Sequence, residues 1–205
     1  MKHIIIAGIP RCGTTLMARA VAGLEAGKLW PSRQEPVNGV IKRHLKVSKL
    51  DLKNACGCIF LFGNVPKAVI STKRTRMDKK HFENCLCEKD PEKTNIFEAD
   101  YLNYEKIFDF WTKGQPFAVL ALRYEKLWGY KEEIEWFIST FSPHRDIKLP
   151  PKRERHSKLD HLSSNGLDVL CKAYSSLIIK TEKMADITLI DSKGMRIKGH
   201  KLNGS

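Results

Sequence analysis

The chain has no apolar run approaching the roughly 18 residues that a membrane-spanning helix needs. The stretch from Met1 to Ile9 is also too short for the apolar core of a secretory leader before Pro10 and Arg11 interrupt it. A soluble, cytoplasmic protein is the expectation. Zinc-type cysteine pairs are missing as well: Cys56 and Cys58, like Cys85 and Cys87, are one residue apart, and no histidine pair follows at finger spacing. With no export signal to favour disulfides, the six cysteines read as reduced, partly buried thiols, and no metal is expected. Repeats and low-complexity tracts are absent, and so is any helix-turn-helix, finger or RNP signature, so no specific nucleic acid is expected as a partner.

Acidic residues are in short supply. Lys and Arg number 36 against 23 Asp and Glu, a net charge of +13 in 205 residues. The excess is not spread evenly. Residues 42–80 carry eleven Lys/Arg and two acids, and residues 148–158 carry five and one; the rest of the chain is balanced. Clustered basicity points to anionic ligands, whereas even basicity would point to solubility.

Short apolar runs at 4–7, 40–41, 58–62 and 117–122 alternate with helix-like stretches, as strands buried on both faces should. Residues 14–24 place Leu16, Ala20 and Leu24 on one helical face, with Met17 and Val21 beside it. Residues 66–72 open a helix with proline in its first turn, and 104–111 and 132–141 show helical periodicity. Leu167, Leu170, Tyr174, Leu177 and Ile178 predict one long helix near the end of the chain. Segments 28–38, 76–95 and 142–157 read as loops. The pattern predicts an α/β fold: a single-domain, three-layer, P-loop-like architecture with a short parallel sheet flanked by helices, spanning residues 1–186, followed by a loosely ordered tail over 187–205.

One junction carries chemistry. In "IIIAGIPRCGTTLMARAV" a β-branched strand meets Gly8, and five residues later Gly13 opens a helix. That is the glycine spacing of a phosphate-binding loop, G-x-x-x-x-G-K-[ST], but Thr14 stands at the lysine position. Without the lysine, triphosphate chemistry loses its main cation, which argues against a small P-loop kinase. The remaining parts still suit an anion: backbone N–H groups of Arg11, Cys12, Gly13, Thr14 and Thr15 at a helix N-terminus, two threonine hydroxyls, and the Arg11 cation.

These residues resemble a known family. "PRCGTTLMARAV" is similar to the 5′-phosphosulfate loop of the PAPS-dependent sulfotransferases. Three further blocks follow in that family's order: "VIKRHLK", "CIFLFGNVPKAVISTKR" and "LALRYEKLW". The resemblance covers about residues 3–180. It implies a PAPS donor, no metal, and a small-molecule or glycan acceptor carrying a hydroxyl or amine. It also implies His44 as the catalytic base, Lys42 at the bridging oxygen, and Ser71 on the 3′-phosphate. Two positions depart from the family pattern: Cys12 replaces serine, and Gly63 replaces the arginine that contacts the 3′-phosphate. Lys67, Lys73 and Arg74, or Arg153, Arg155 and Ser157, are the expected replacements for that cation. A degenerate fold that binds a nucleotide or polyanion without turnover is the alternative that Gly63 favours. Tyr124 and Glu125 are expected to fix a strand end, and Trp111, Trp128 and Trp136 to be core.

Overall fold

The sheet order β2-β1-β3-β4-β5-β6 places the glycine-bearing strand inside the sheet, between two parallel neighbours. The strands are β1 (His3–Gly8), β2 (Val40–Lys42), β3 (Ala55–Phe62), β4 (Ala118–Arg123), β5 (Ile187–Ile190) and β6 (Arg196–Lys198). The first four are parallel, and β5 and β6 add antiparallel to β4 and to each other. This is a computed structural model, and it describes residues 2–25, 30, 36–75, 82–90, 93–141, 147–152, 159–194 and 196–198. Arg153, Arg155 and Ser157 lie outside the described residues.

Apolar, β-branched runs form the central strands because both faces of a parallel sheet are covered. Every residue of β1 is buried, as are the last six of β3. Ile5 sits opposite Ile41 on one side and Cys58 on the other, in register. Fully burying each such aliphatic side chain contributes about 1.5–3 kcal/mol.

Helices flank the sheet: α1 (Thr14–Ala22), α2 (Lys49–Asn54), α3 (Val65–Arg74), α4 (Tyr104–Thr112), α5 (Lys131–Ser139), α6 (Ser164–Ala173) and α7 (Ser175–Lys183). Helix α1 stops at Gly23, whose φ of 66° is the left-handed conformation that suits glycine. Helix α3 opens on Asn64, whose side chain accepts from the Lys67 N–H, with Pro66 in the first turn. Its buried face meets α4 through a polar contact: the Thr72 hydroxyl lies 2.8 Å from the Tyr104 hydroxyl, both fully buried. Among the described residues no helix is long and apolar enough to cross a membrane.

Three sequence expectations change. The long C-terminal helix is two helices, broken at Tyr174, which is buried with φ −110° and whose hydroxyl donates to the Ile96 carbonyl at 2.9 Å. Seating that ring takes precedence over helical continuity. The first part of the stretch 187–205, expected as a loose tail, supplies β5 and β6, while residues 199–205 lie outside the described residues. Arg123 ties this addition down. Its Nε donates to Asp186 at 2.6 Å, and its Nη2 donates to the carbonyls of Thr181 and Met184. Helix α2 was not anticipated, although "SKLD" carries its signal: Ser48 and Asp51 form a reciprocal capping box.

Candidate anion-binding site at the sheet's C-terminal edge

The chain leaves β1, forms α1 and returns as β2 on one side of β1; it then crosses to form β3 on the other side. Strand order therefore reverses at β1, and the crevice beyond the C-terminal ends of β1 and β3 is where open α/β sheets hold ligands. The glycine-rich loop, the end of β2 and the start of α3 all emerge at that edge.

The loop's backbone is specialised. Gly8 has no space for a side chain, because a Cβ there would stand 2.5 Å from the Leu61 carbonyl and 2.7 Å from Thr14 Cγ2. The Ile9 N–H donates to Leu61 O at 3.0 Å, which carries the β1–β3 pairing one residue beyond Gly8. Arg11 and Gly13 then adopt φ of 69° and 81°. Two left-handed residues out of three form a backbone pattern of the kind found in anion-binding concavities, although the Cys12 N–H between them is taken by the Ile9 carbonyl at 3.1 Å. For Arg11 that conformation costs on the order of 1–3 kcal/mol, and backbone strain of this kind concentrates at functional positions.

Three side-chain contacts join the elements around this loop. Arg11 Nε donates to Ser71 Oγ at 3.0 Å, spanning from the β1 loop to α3 across the point where strand order reverses. Lys42 Nζ donates to Thr15 Oγ1 at 3.1 Å, from the end of β2 to the first turn of α1. His44 Nδ1 lies 2.6 Å from the Gly8 carbonyl. A carbonyl only accepts, so Nδ1 carries the proton and Nε2 is the basic nitrogen. The His44 backbone is fixed as well, since its carbonyl accepts from Trp111 Nε1 at 2.7 Å. His44 as a residue is 7% exposed.

The neighbouring cation has a different task. Arg43 makes an ion pair with Asp51 at 2.9 Å and donates from Nη1 to the Lys42 carbonyl, which braces the β2 end against α2. Burial opposes ionisation of Asp51, but the bond from Arg43 and the Ser48 N–H outweigh it and hold the carboxyl below its usual value.

The other expected site residues divide in two groups. Lys67, Ser71 and Arg74 recur at helical spacing on one face of α3, with Arg74 exposed at its end. Cys12 is fully buried in the core, and its N–H, expected as a donor to an anion, instead closes a turn onto Ile9 O at 3.1 Å. Thr14 is 5% exposed, with its methyl packed under Gly8. Burial holds Cys58 and Cys85 in the neutral form and pushes Cys87 up to about 12.

A cavity of about 440 Å³ opens beside the loop. Thr15 lies at its edge, Leu16, Ala20 and Leu24 form an apolar wall, and the rings of Tyr124 and Trp128 close it. Arg19 and Lys148 bring positive charge into the lining. The Tyr124 ring lies against Gly13, where a Cβ would come within 2.5 Å of it. Trp128 donates from Nε1 to the Pro150 carbonyl at 2.8 Å and packs edge-on to Tyr124. Of the three tryptophans expected in the core, Trp111 is there, Trp128 lines this cavity, and Trp136 is 38% exposed.

Sequence reasoning missed Tyr124, Trp128 and Arg19 as lining of this cavity. Their signal was present only as spacing. Leu16, Ala20 and Leu24 share a helical stripe, but nothing local says that the partner of this stripe is an open cavity lined by the turn after β4. Compared with known proteins, the sequence matches no family model and no curated protein.

Proposed function

We propose that the protein is a sulfotransferase that moves a sulfuryl group from PAPS to a hydroxyl or amine acceptor and releases PAP. The observation that supports this reading is that the glycine-rich loop and the helix start after it are joined to three elements: to α3 by Arg11–Ser71, to the end of β2 by Lys42–Thr15 and to the following turn by His44–Gly8, at 3.0, 3.1 and 2.6 Å. The donor set suits a singly esterified anion with no metal: one guanidinium, one ammonium, hydroxyls and backbone N–H groups, with Thr14 where a triphosphate-binding lysine would stand.

In this reading Arg11 and the loop hold the 5′-phosphosulfate, and the cavity of about 440 Å³ takes the nucleoside between Tyr124, Trp128 and the α1 wall. His44 Nε2 accepts the proton of the acceptor as its oxygen or nitrogen bonds to sulfur. The bond from sulfur to the bridging oxygen breaks, and its electron pair leaves on the 5′-phosphate of PAP. Lys42 meets the charge that grows on that oxygen. The Gly8 carbonyl stabilises the imidazolium through Nδ1–H, as an orienting acceptor does in other acid–base pairs.

A binding protein of the same fold without turnover is the second reading, and the Glu125 carboxylate beside Gly63 favours it. Calorimetric titration of PAP, run beside a sulfate-release assay with PAPS, separates the two. Saturable PAP binding with release supports the enzyme, binding without release supports the second reading, and no binding refutes both.

A further inference from the structure

Arg19 brings a donor without a partner to the cavity beside the glycine loop. It lines that cavity, yet its Nε is buried and makes no hydrogen bond among the described residues. A buried guanidinium N–H left without an acceptor is costly, and an anion brought by a ligand satisfies it. Lys148 adds a second positive charge, and no Asp or Glu is among the described lining residues. On the same wall Lys152 Nζ stands 6.0 Å from the centre of the Trp128 ring. The entrance of α3 has the opposite sign. There Glu125 Oε1 accepts from the Asn64 N–H at 3.2 Å, and Oε2 would lie 2.7 Å from a Cβ on Gly63.

We propose that Arg19, assisted by Lys148, binds a phosphate on the ribose of the nucleotide and so supplies the cation that Gly63 does not. The inference rests on the reading that the loop holds the nucleotide's 5′ end and the cavity its nucleoside. Arg19 follows Thr15 by four residues, one turn along the same face of α1 and about 6 Å further from the loop. A 5′-phosphate on the loop therefore leaves the attached ribose beside Arg19. A second phosphate on that ribose meets positive charge against an apolar wall, where a hydrogen bond is stronger than in water. At the entrance of α3 the same phosphate would meet a like charge.

The test is calorimetric titration of the wild-type protein, Arg19→Gln and Arg19→Lys with adenosine 5′-phosphate and with adenosine 3′,5′-bisphosphate. The wild type is expected to bind the bisphosphate about tenfold tighter than the monophosphate, a difference worth about 1.4 kcal/mol. In Arg19→Gln the bisphosphate should weaken about tenfold, with the monophosphate changed less than about threefold. Arg19→Lys keeps the charge but loses the planar fork of donors, so its preference for the bisphosphate should fall between the two. An unchanged preference in Arg19→Gln overturns the inference, and so does an equal loss for both nucleotides, which would place Arg19 on the 5′ end. Should Arg19→Gln not fold, Arg19→Lys decides by the same ratio. Failure of both nucleotides to bind the wild type refutes the proposed function itself, and this inference with it; binding of both within about threefold of each other refutes this inference alone.

Discussion

Lys42 and Thr15 meet at 3.1 Å across the edge of the sheet, although 27 residues separate them in the chain. The contact exists because β2 pairs parallel with β1 in a register that places Lys42 opposite Ile6, two residues short of the glycine loop. The ammonium is thus held against the first turn of α1 before any ligand arrives. Preorganised charge of this kind lowers a barrier without reorganising during the reaction.

Lys42→Ala is therefore expected to damage PAP binding and turnover together, because a cation at the bridging oxygen serves the ground state and the transition state alike. Loss of one charge-assisted contact should weaken PAP by roughly 1.5–3 kcal/mol. Titration of the variant beside its kcat measures both. Unchanged PAP affinity would move Lys42 out of the donor site.

PAP is expected to raise the thermal midpoint more than ATP with Mg²⁺ does, since Thr14 replaces the lysine that triphosphates need. At 100 times its dissociation constant, a ligand adds about 2.7 kcal/mol by mass action. Equal or greater stabilisation by ATP with Mg²⁺ would point to a kinase.

Stability should depend on pH through the cluster joining α4 to α7. Lys180 donates to Glu105 at 2.6 Å and to Asp109 at 2.9 Å. The bond from Lys180 lowers the Glu105 carboxyl; at Asp109 burial works the other way, and the bonds from Lys180 and Lys113 outweigh it. The Lys180 ammonium is raised, first by Glu105. Depressed carboxyls stabilise the fold above their unfolded values of about 4 and lose that contribution as pH falls through the folded ones. The raised ammonium contributes below about 10.4 and loses its share as pH rises through the folded value. Thermal melts of Lys180→Ala should thus lie below the wild type near neutral pH and converge with it in acid. A gap that persists at pH 2 would mean that packing, not charge, carries the contribution.

Much of the parallel sheet was legible because residues 4–7 and 58–62 are unbroken apolar runs, which only a strand covered on both faces tolerates. The glycine loop was legible for a related reason. Gly8 and Gly13 are each excluded from bearing a side chain by a definite neighbour, Leu61 and Tyr124. What stayed hidden depends on partners distant in sequence. The four residues of β5 are too short to signal a strand, and it is Arg123, 63 positions before Asp186, that helps fix them. Glu125 was read as a residue that closes a strand, and its meeting with Gly63 appears only once β3 and β4 lie side by side. The helix break at Tyr174 likewise follows from a carbonyl 78 positions away.

The most direct test of the account is transfer of a labelled sulfuryl group from PAPS to a panel of hydroxyl- and amine-bearing acceptors, comparing the wild type with His44→Ala. The account predicts label on at least one acceptor class with the wild type, and a fall in kcat of about 10²–10⁴-fold for the variant, the range of a positioned general base, with PAP affinity near the wild-type value. Saturable PAP binding by a wild type that transfers no label, or full transfer by His44→Ala, would contradict it.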